Sequence, residues 1–187
     1  AAVKVLKGKR VLALTMHAIV GDLEGIELVG DGAEAVLIGG ADETPETNLV
    51  FSYMNLARAF AELELGARLY CLHRNRWWQT ARGPLLDAGA FVAGLEYASD
   101  VEAVVVGKPS PAYFTAACEA LDADPELAWM VGDDLESDIA GAQAVGMRTV
   151  LVRTGKFRPD LVEASRVRPD GIVSSIGQLP DWLEEHL

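Results

Sequence analysis

Leu127-Ala128-Trp129-Met130-Val131-Gly132-Asp133-Asp134-Leu135-Glu136-Ser137-Asp138 is the stretch whose reading decides the fold. Its first five residues are an apolar run of strand length; a glycine and two adjacent carboxylates end it, and Asp138 follows one helical turn later. A buried strand carries such carboxylates to its C-terminal end, which is where open α/β sheets bind ligands. Three carboxylates crowded at one strand end repel one another. A hard divalent cation such as Mg²⁺, which favours oxygen donors, relieves that repulsion. Taken alone, Gly132-Asp133-Asp134 reads equally well as a turn and helix cap, because Asp is favoured at N-caps anyway.

Upstream, residues 101–106 form a β-branched run leading into Gly107-Lys108-Pro109-Ser110-Pro111. Lys108 is a lone fixed cation, which suits a phosphate held beside a metal, and Ser110-Pro111 opens a helix to about residue 121. Downstream the pattern predicts a helix over 137–145 stopped by Gly146, a strand over 149–152, a short strand over 171–175 and a terminal helix over 180–186. The first half reads as a helix end over 1–7 and strands over 10–15, 33–38 and 67–72. A single helix fills 44–65, capped by Thr44, with Leu49, Val50, Tyr53, Met54, Leu56, Ala57 and Phe60 at helical spacing. A polar loop covers 73–83 and a small-residue helix about 88–98. Strands alternating with helices predict a parallel sheet with right-handed crossovers.

Half of the 187 residues are apolar and 24% are charged, which is globular rather than disordered composition. A net charge of −12 argues against nucleic acid or an anionic membrane as the main partner. An anionic substrate is therefore drawn in by a local site. No targeting pattern or membrane span is evident, and Cys71 and Cys118, too few for a disulfide framework, predict free buried thiols in a reducing cytoplasm.

Gly107-Lys108-Pro109 followed by Gly132-Asp133-Asp134 and Asp138 resembles motifs III and IV of the haloacid dehalogenase-like (HAD) superfamily of phosphohydrolases. The resemblance runs on through residues 142–147 and 153–159, and looks like the NagD-type branch with a large α/β cap, near the phospholysine/phosphohistidine inorganic pyrophosphate phosphatases. It implies a three-layer, Rossmann-like α/β core, of which 87–187 is the C-terminal part, and an α/β cap over 1–86. It also implies a Mg²⁺-dependent phosphatase acting on a small phosphorylated substrate or on an N–P or pyrophosphate bond, with homodimer contacts through the cap.

On this resemblance Asp133 and Asp134 are the metal residues, Asp133 binding directly. Lys108 and Asp138 are catalytic, Lys108 touching both the phosphoryl oxygens and the nucleophile. Arg74 and Asn75 join Lys108 in binding substrate, and Trp77 or Trp78 walls the pocket; the same loop reads equally as solvated, with one Trp anchored in the core. Lys156 and Arg158 read as readily as surface charges, and Thr154-Gly155 as shaping their loop.

One departure qualifies the function. The family nucleophile is the first Asp of an Asp-x-Asp/Ser-Gly-Thr motif, and these residues contain no such motif; Asp22-Leu23-Glu24-Gly25, the only imitation, falls within the cap. The chain also opens at Ala1 without an initiator Met, so the reading is a fragment of a longer protein that is inactive alone. The alternative is a non-catalytic metal-binding or dimerisation module.

Overall fold

The apolar runs of the sequence become strands of two parallel sheets, one in each of the two units into which the computed structural model divides, Ala1–Gly107 and Lys108–Leu187. Residues 1–186 are described.

The first unit runs α1 (Ala2–Leu6), β1 (Arg10–Leu14), α2 (His17–Val20), β2 (Glu27–Leu28), β3 (Ala35–Ile38), α3 (Pro45–Val50), α4 (Tyr53–Glu64), β4 (Arg68–Cys71), β5 (Trp77–Thr80), β6 (Gly83–Leu86), α5 (Gly89–Ser99) and β7 (Val104–Val105). Its five-stranded sheet has the order β2-β1-β3-β4-β7, and all its pairings are parallel. Central β3 is buried throughout, which explains its unbroken apolar sequence. Its side chains alternate between two cores. Val36 and Ile38 pack with Ala59, Leu63, Val92 and Leu95 of α4 and α5. Ala35 and Leu37 pack with Leu6 of α1. The buried Glu62 of α4 is satisfied by the backbone amides of Gly32 and Ala33, each at 2.8 Å, which ties the helix to the turn before β3.

Four expectations need correction in this unit. The single helix over 44–65 is two, because Ser52 takes extended backbone and caps α4 by accepting from the Asn55 amide. The Asn55 side chain in turn donates to the open carbonyls of Leu49 and Val50. The break changes what is buried: Leu49, Tyr53 and Met54 are 72%, 83% and 71% exposed, while Phe51 is buried and stacks on Phe91 at 4.3 Å. Thr44 does not cap α3; its hydroxyl donates to Asp42, whose carboxyl is held below the usual carboxylate range by the hydroxyls of Thr44 and Thr47.

The loop over 73–83 contains half of an antiparallel hairpin, β5 with β6. Its turn lacks the Asn-Gly signal of tight hairpins, and Pro84 inside β6 argues against a strand on sequence grounds. The strand expected over 101–106 shortens to β7. Within this unit α5 packs on the sheet with α4, and β7 pairs with β4 through Tyr70↔Val104 and Cys71↔Val105.

Both cysteines are free and buried. Burial pushes the Cys71 thiol from its ordinary value up to about 11. The unfolded chain therefore ionises this thiol first, so stability falls as pH rises from the ordinary thiol range towards that value. Denaturant midpoints measured across this window should fall less steeply in Cys71→Ala than in the wild type. Parallel profiles would show that Cys71 does not contribute.

The second unit runs α6 (Pro111–Ala120), β8 (Trp129–Gly132), a π-helical turn (Leu135–Ala140), α7 (Gly141–Gln143), β9 (Arg148–Val152), α8 (Pro159–Ala164), β10 (Gly171–Val173) and α9 (Leu179–His186). Its sheet is parallel, in the order β10-β9-β8. Val150, Val152 and Val173 pack with Trp129, Val131 and Trp182 on one side, and Phe114, Cys118, Ile139 and Ala142 are also buried. Among the described residues β8 ends the sheet. The helix expected from 137 begins two residues earlier as the π turn, in which the Ile139 amide reaches back to the Asp134 carbonyl. Such wide turns occur frequently at functional sites.

Candidate active site

Strand β8 hands the chain to a turn that holds all three carboxylates of the sequence signature, and the register Gly132↔Leu151 sets the C-terminal ends of β8 and β9 side by side. Asp134 takes extended backbone and caps the π turn: its Oδ1 accepts from the amides of Glu136 and Ser137 at 3.2 and 3.0 Å. The cap reading of the motif is thus correct for Asp134. Its Oδ2 has a further partner, the Lys156 ammonium at 3.3 Å.

Asp138 folds back over the strand end and is only 4% exposed. Its Oδ2 accepts from the amides of Asp133 and Asp134 at 3.2 and 3.1 Å, and its Oδ1 accepts from Lys108 Nζ at 2.7 Å. This placement demands a glycine below it, since a Cβ on Gly132 would collide with the Asp138 carboxylate. Gly132→Ala should therefore lower thermal stability and weaken the Lys108–Asp138 pair. A variant with wild-type melting and an unchanged Lys108 side-chain resonance would contradict this packing.

Burial alone would lower the Lys108 pKa. The hydrogen bond and charge of Asp138, with Tyr113 and Asp134 adding to them, outweigh that effect and raise it. Lys108 is therefore an ammonium at neutral pH. The stability this pairing contributes is complete below the ordinary lysine pKa and is lost only as pH rises through the raised value.

Asp133 is held differently. Its Oδ2 accepts from the Lys156 backbone amide at 2.9 Å. The carboxylate repulsion expected from the sequence is thus relieved by Lys108 at Asp138, by Lys156 at Asp134 and by amides at all three. Among the described residues no three Asp, Glu, His or Cys side chains converge into a preformed metal cage. The donor set nevertheless suits Mg²⁺, which takes hard oxygens and commonly uses only one or two carboxylates with water and phosphate completing the shell.

The structure brings Lys108, Asp133, Asp134 and Asp138 together within the second unit. Arg74 and Asn75 belong to the first, where the Arg74 guanidinium pairs with Glu96 at 2.6 Å and the Asn75 carbonyl accepts from the Gly89 amide. Asp22 lies there too, in a 3₁₀ turn over 21–23 rather than at a strand end. Sequence reasoning left Lys156 undecided. The available signal was that it follows β9, the strand next to β8 in a parallel sheet.

The family profile described as HAD-hydrolase-like matches residues 105–179, a span containing every residue of this constellation. The chain belongs to the haloacid dehalogenase-like hydrolase family. It is 40% identical over 187 residues to phospholysine phosphohistidine inorganic pyrophosphate phosphatase of Xenopus laevis, covering 98% of this chain and 66% of that protein. Among similar solved structures are NagD from Escherichia coli K-12 and a glycerol phosphate phosphatase from Mycobacterium tuberculosis in complex with magnesium. NagD has a TM-score of 0.79 and 25% identity, covering 95% of this chain and 69% of that one. The M. tuberculosis enzyme has a TM-score of 0.80 and 27% identity, covering 95% and 55%. Across the curated relatives the chain spans from 50% to 66% of their length.

Proposed function

We propose that this chain supplies the phosphate- and metal-handling part of a Mg²⁺-dependent phosphatase acting on a small phosphorylated substrate or on an N–P or pyrophosphate bond. The observation that carries the reading is the Lys108 ammonium fixed by buried Asp138 beside Asp133 at one strand end. An ammonium has three donors, so Lys108 retains hydrogens for phosphoryl oxygens while one points at Asp138. Asp138 keeps that cation charged and oriented, and holds the turn that presents Asp133. In this reading Asp133 binds the metal and Asp134 supports it. Bound Mg²⁺ would offset phosphoryl charge that otherwise repels an anionic nucleophile. The magnesium complex of the M. tuberculosis relative supports this choice of metal.

Buried free thiols support a reducing compartment such as the cytoplasm. Among the described residues no helix is long and apolar enough to cross a membrane. The Asp-x-Asp/Ser-Gly-Thr motif is not among these residues, so by themselves they lack the nucleophile that the family chemistry requires. The test is phosphate release from p-nitrophenyl phosphate with Mg²⁺. The full-length protein should turn it over and residues 1–187 should not. A monodisperse preparation of residues 1–187 that hydrolyses it would overturn the inactivity and point to Asp22 or another carboxylate as nucleophile. Absence of turnover by the full-length protein on this and on other phosphorylated compounds would overturn the phosphatase reading.

A further inference from the structure

The turn after β9 grips the acidic turn after β8 at two points. The Lys156 amide donates to Asp133 Oδ2 at 2.9 Å, and the Lys156 ammonium reaches Asp134 Oδ2 at 3.3 Å. The backbone grip is possible only because residue 155 is glycine. Gly155 has φ +49°, a left-handed conformation, and a Cβ there would collide with the same Asp133 oxygen that takes the amide. The turn is itself closed by the Phe157 amide donating to the Thr154 carbonyl at 2.9 Å, and the Arg153 guanidinium lies over the Phe157 ring. The Asp133 oxygen that takes the amide is Oδ2, and the Asp134 oxygen that faces the ammonium is also Oδ2, while Asp134 Oδ1 serves the cap.

We infer that Gly155 and the Lys156 amide are positioning elements for Asp133: they fix its carboxylate by one oxygen and leave the other to a divalent cation. The Lys156 ammonium has a separate part. It offsets the charge of Asp134, the cap of the π turn, and does not orient Asp133. The inference rests on the proposal that Asp133 is the metal residue. An outer partner that holds a ligating carboxylate is worth about 10- to 100-fold in metal affinity. A collision that displaces Asp133 should cost an amount of that order.

The experiment titrates Mg²⁺ into the full-length protein and into Gly155→Ala, Lys156→Met and Asp133→Ala, by calorimetry and by following the Lys156 backbone amide in ¹H–¹⁵N spectra. Gly155→Ala should bind Mg²⁺ about 10- to 100-fold more weakly with its fold retained. Lys156→Met keeps the amide and should bind at least as tightly as the wild type. The wild-type Lys156 amide should shift on adding Mg²⁺, and in Asp133→Ala it should lose that response and exchange faster with solvent. If Gly155→Ala does not fold, the amide comparison between wild type and Asp133→Ala decides alone. Unchanged affinity in a folded Gly155→Ala, a loss in Lys156→Met as large as in Gly155→Ala, or a Lys156 amide indifferent to Asp133 would each overturn the inference. Failure of the wild type itself to bind Mg²⁺ would instead sink the metal assignment on which it rests.

Discussion

Lys108→Ala should lower kcat of the full-length protein by about two to three orders of magnitude while changing KM little. The ammonium sits where negative charge on a transferring phosphoryl group has to be balanced, and a fixed cation counts most when that charge is redistributed in the transition state. Asp138 supplies the fixing through a 2.7 Å bond, and the raised pKa of Lys108 keeps the cation intact throughout the neutral range. Steady-state kinetics on a small phosphate ester separate the possibilities. A raised KM with intact kcat would make Lys108 a docking residue and remove it from the chemistry.

Asp138→Asn should destabilise the second unit by about 3 kcal/mol. One carboxylate oxygen serves two backbone amides and the other serves the Lys108 ammonium. An Asn side chain has a single acceptor oxygen. If that oxygen faces the amides, its NH₂ opposes the ammonium; if it faces Lys108, the amides of Asp133 and Asp134 lose their acceptor. Either way donors face donors at a position that is 4% exposed. Because Lys108 is partly exposed, water recovers some of the loss on its side. Chemical denaturation of wild type and variant measures the difference, and equal stability would show that the three bonds are not holding the turn.

The parts of the fold that were legible in the sequence are those whose signal is local. Ala35–Ile38 is apolar without interruption because it is buried on both faces, and the carboxylate turn announces itself because an apolar strand ends there in glycine and aspartates. The helix break at Ser52 was hidden by apolar spacing that continues across it, although a serine is a good N-cap; the cap interaction outweighs the continuity of the stripe. The hairpin of β5 and β6 was hidden by Pro84 and by a turn without Asn-Gly.

Within the site, Lys108 and the three aspartates could be picked out by residue type and order. What could not be read was which oxygen each carboxylate commits and to whom, because those bonds join residues distant in sequence: Lys108 with Asp138, and Lys156 with Asp133 and Asp134. Lysines and backbone amides bond to the carboxylates whose mutual repulsion the sequence led one to expect.

The most direct test of the account is a Mg²⁺ titration of the full-length protein and of Asp133→Asn, followed by calorimetry. Asparagine keeps the shape and removes the charge that would make residue 133 a ligand for a hard cation. The account predicts saturable binding to the wild type that is lost in Asp133→Asn; equal affinity in the two proteins would contradict it.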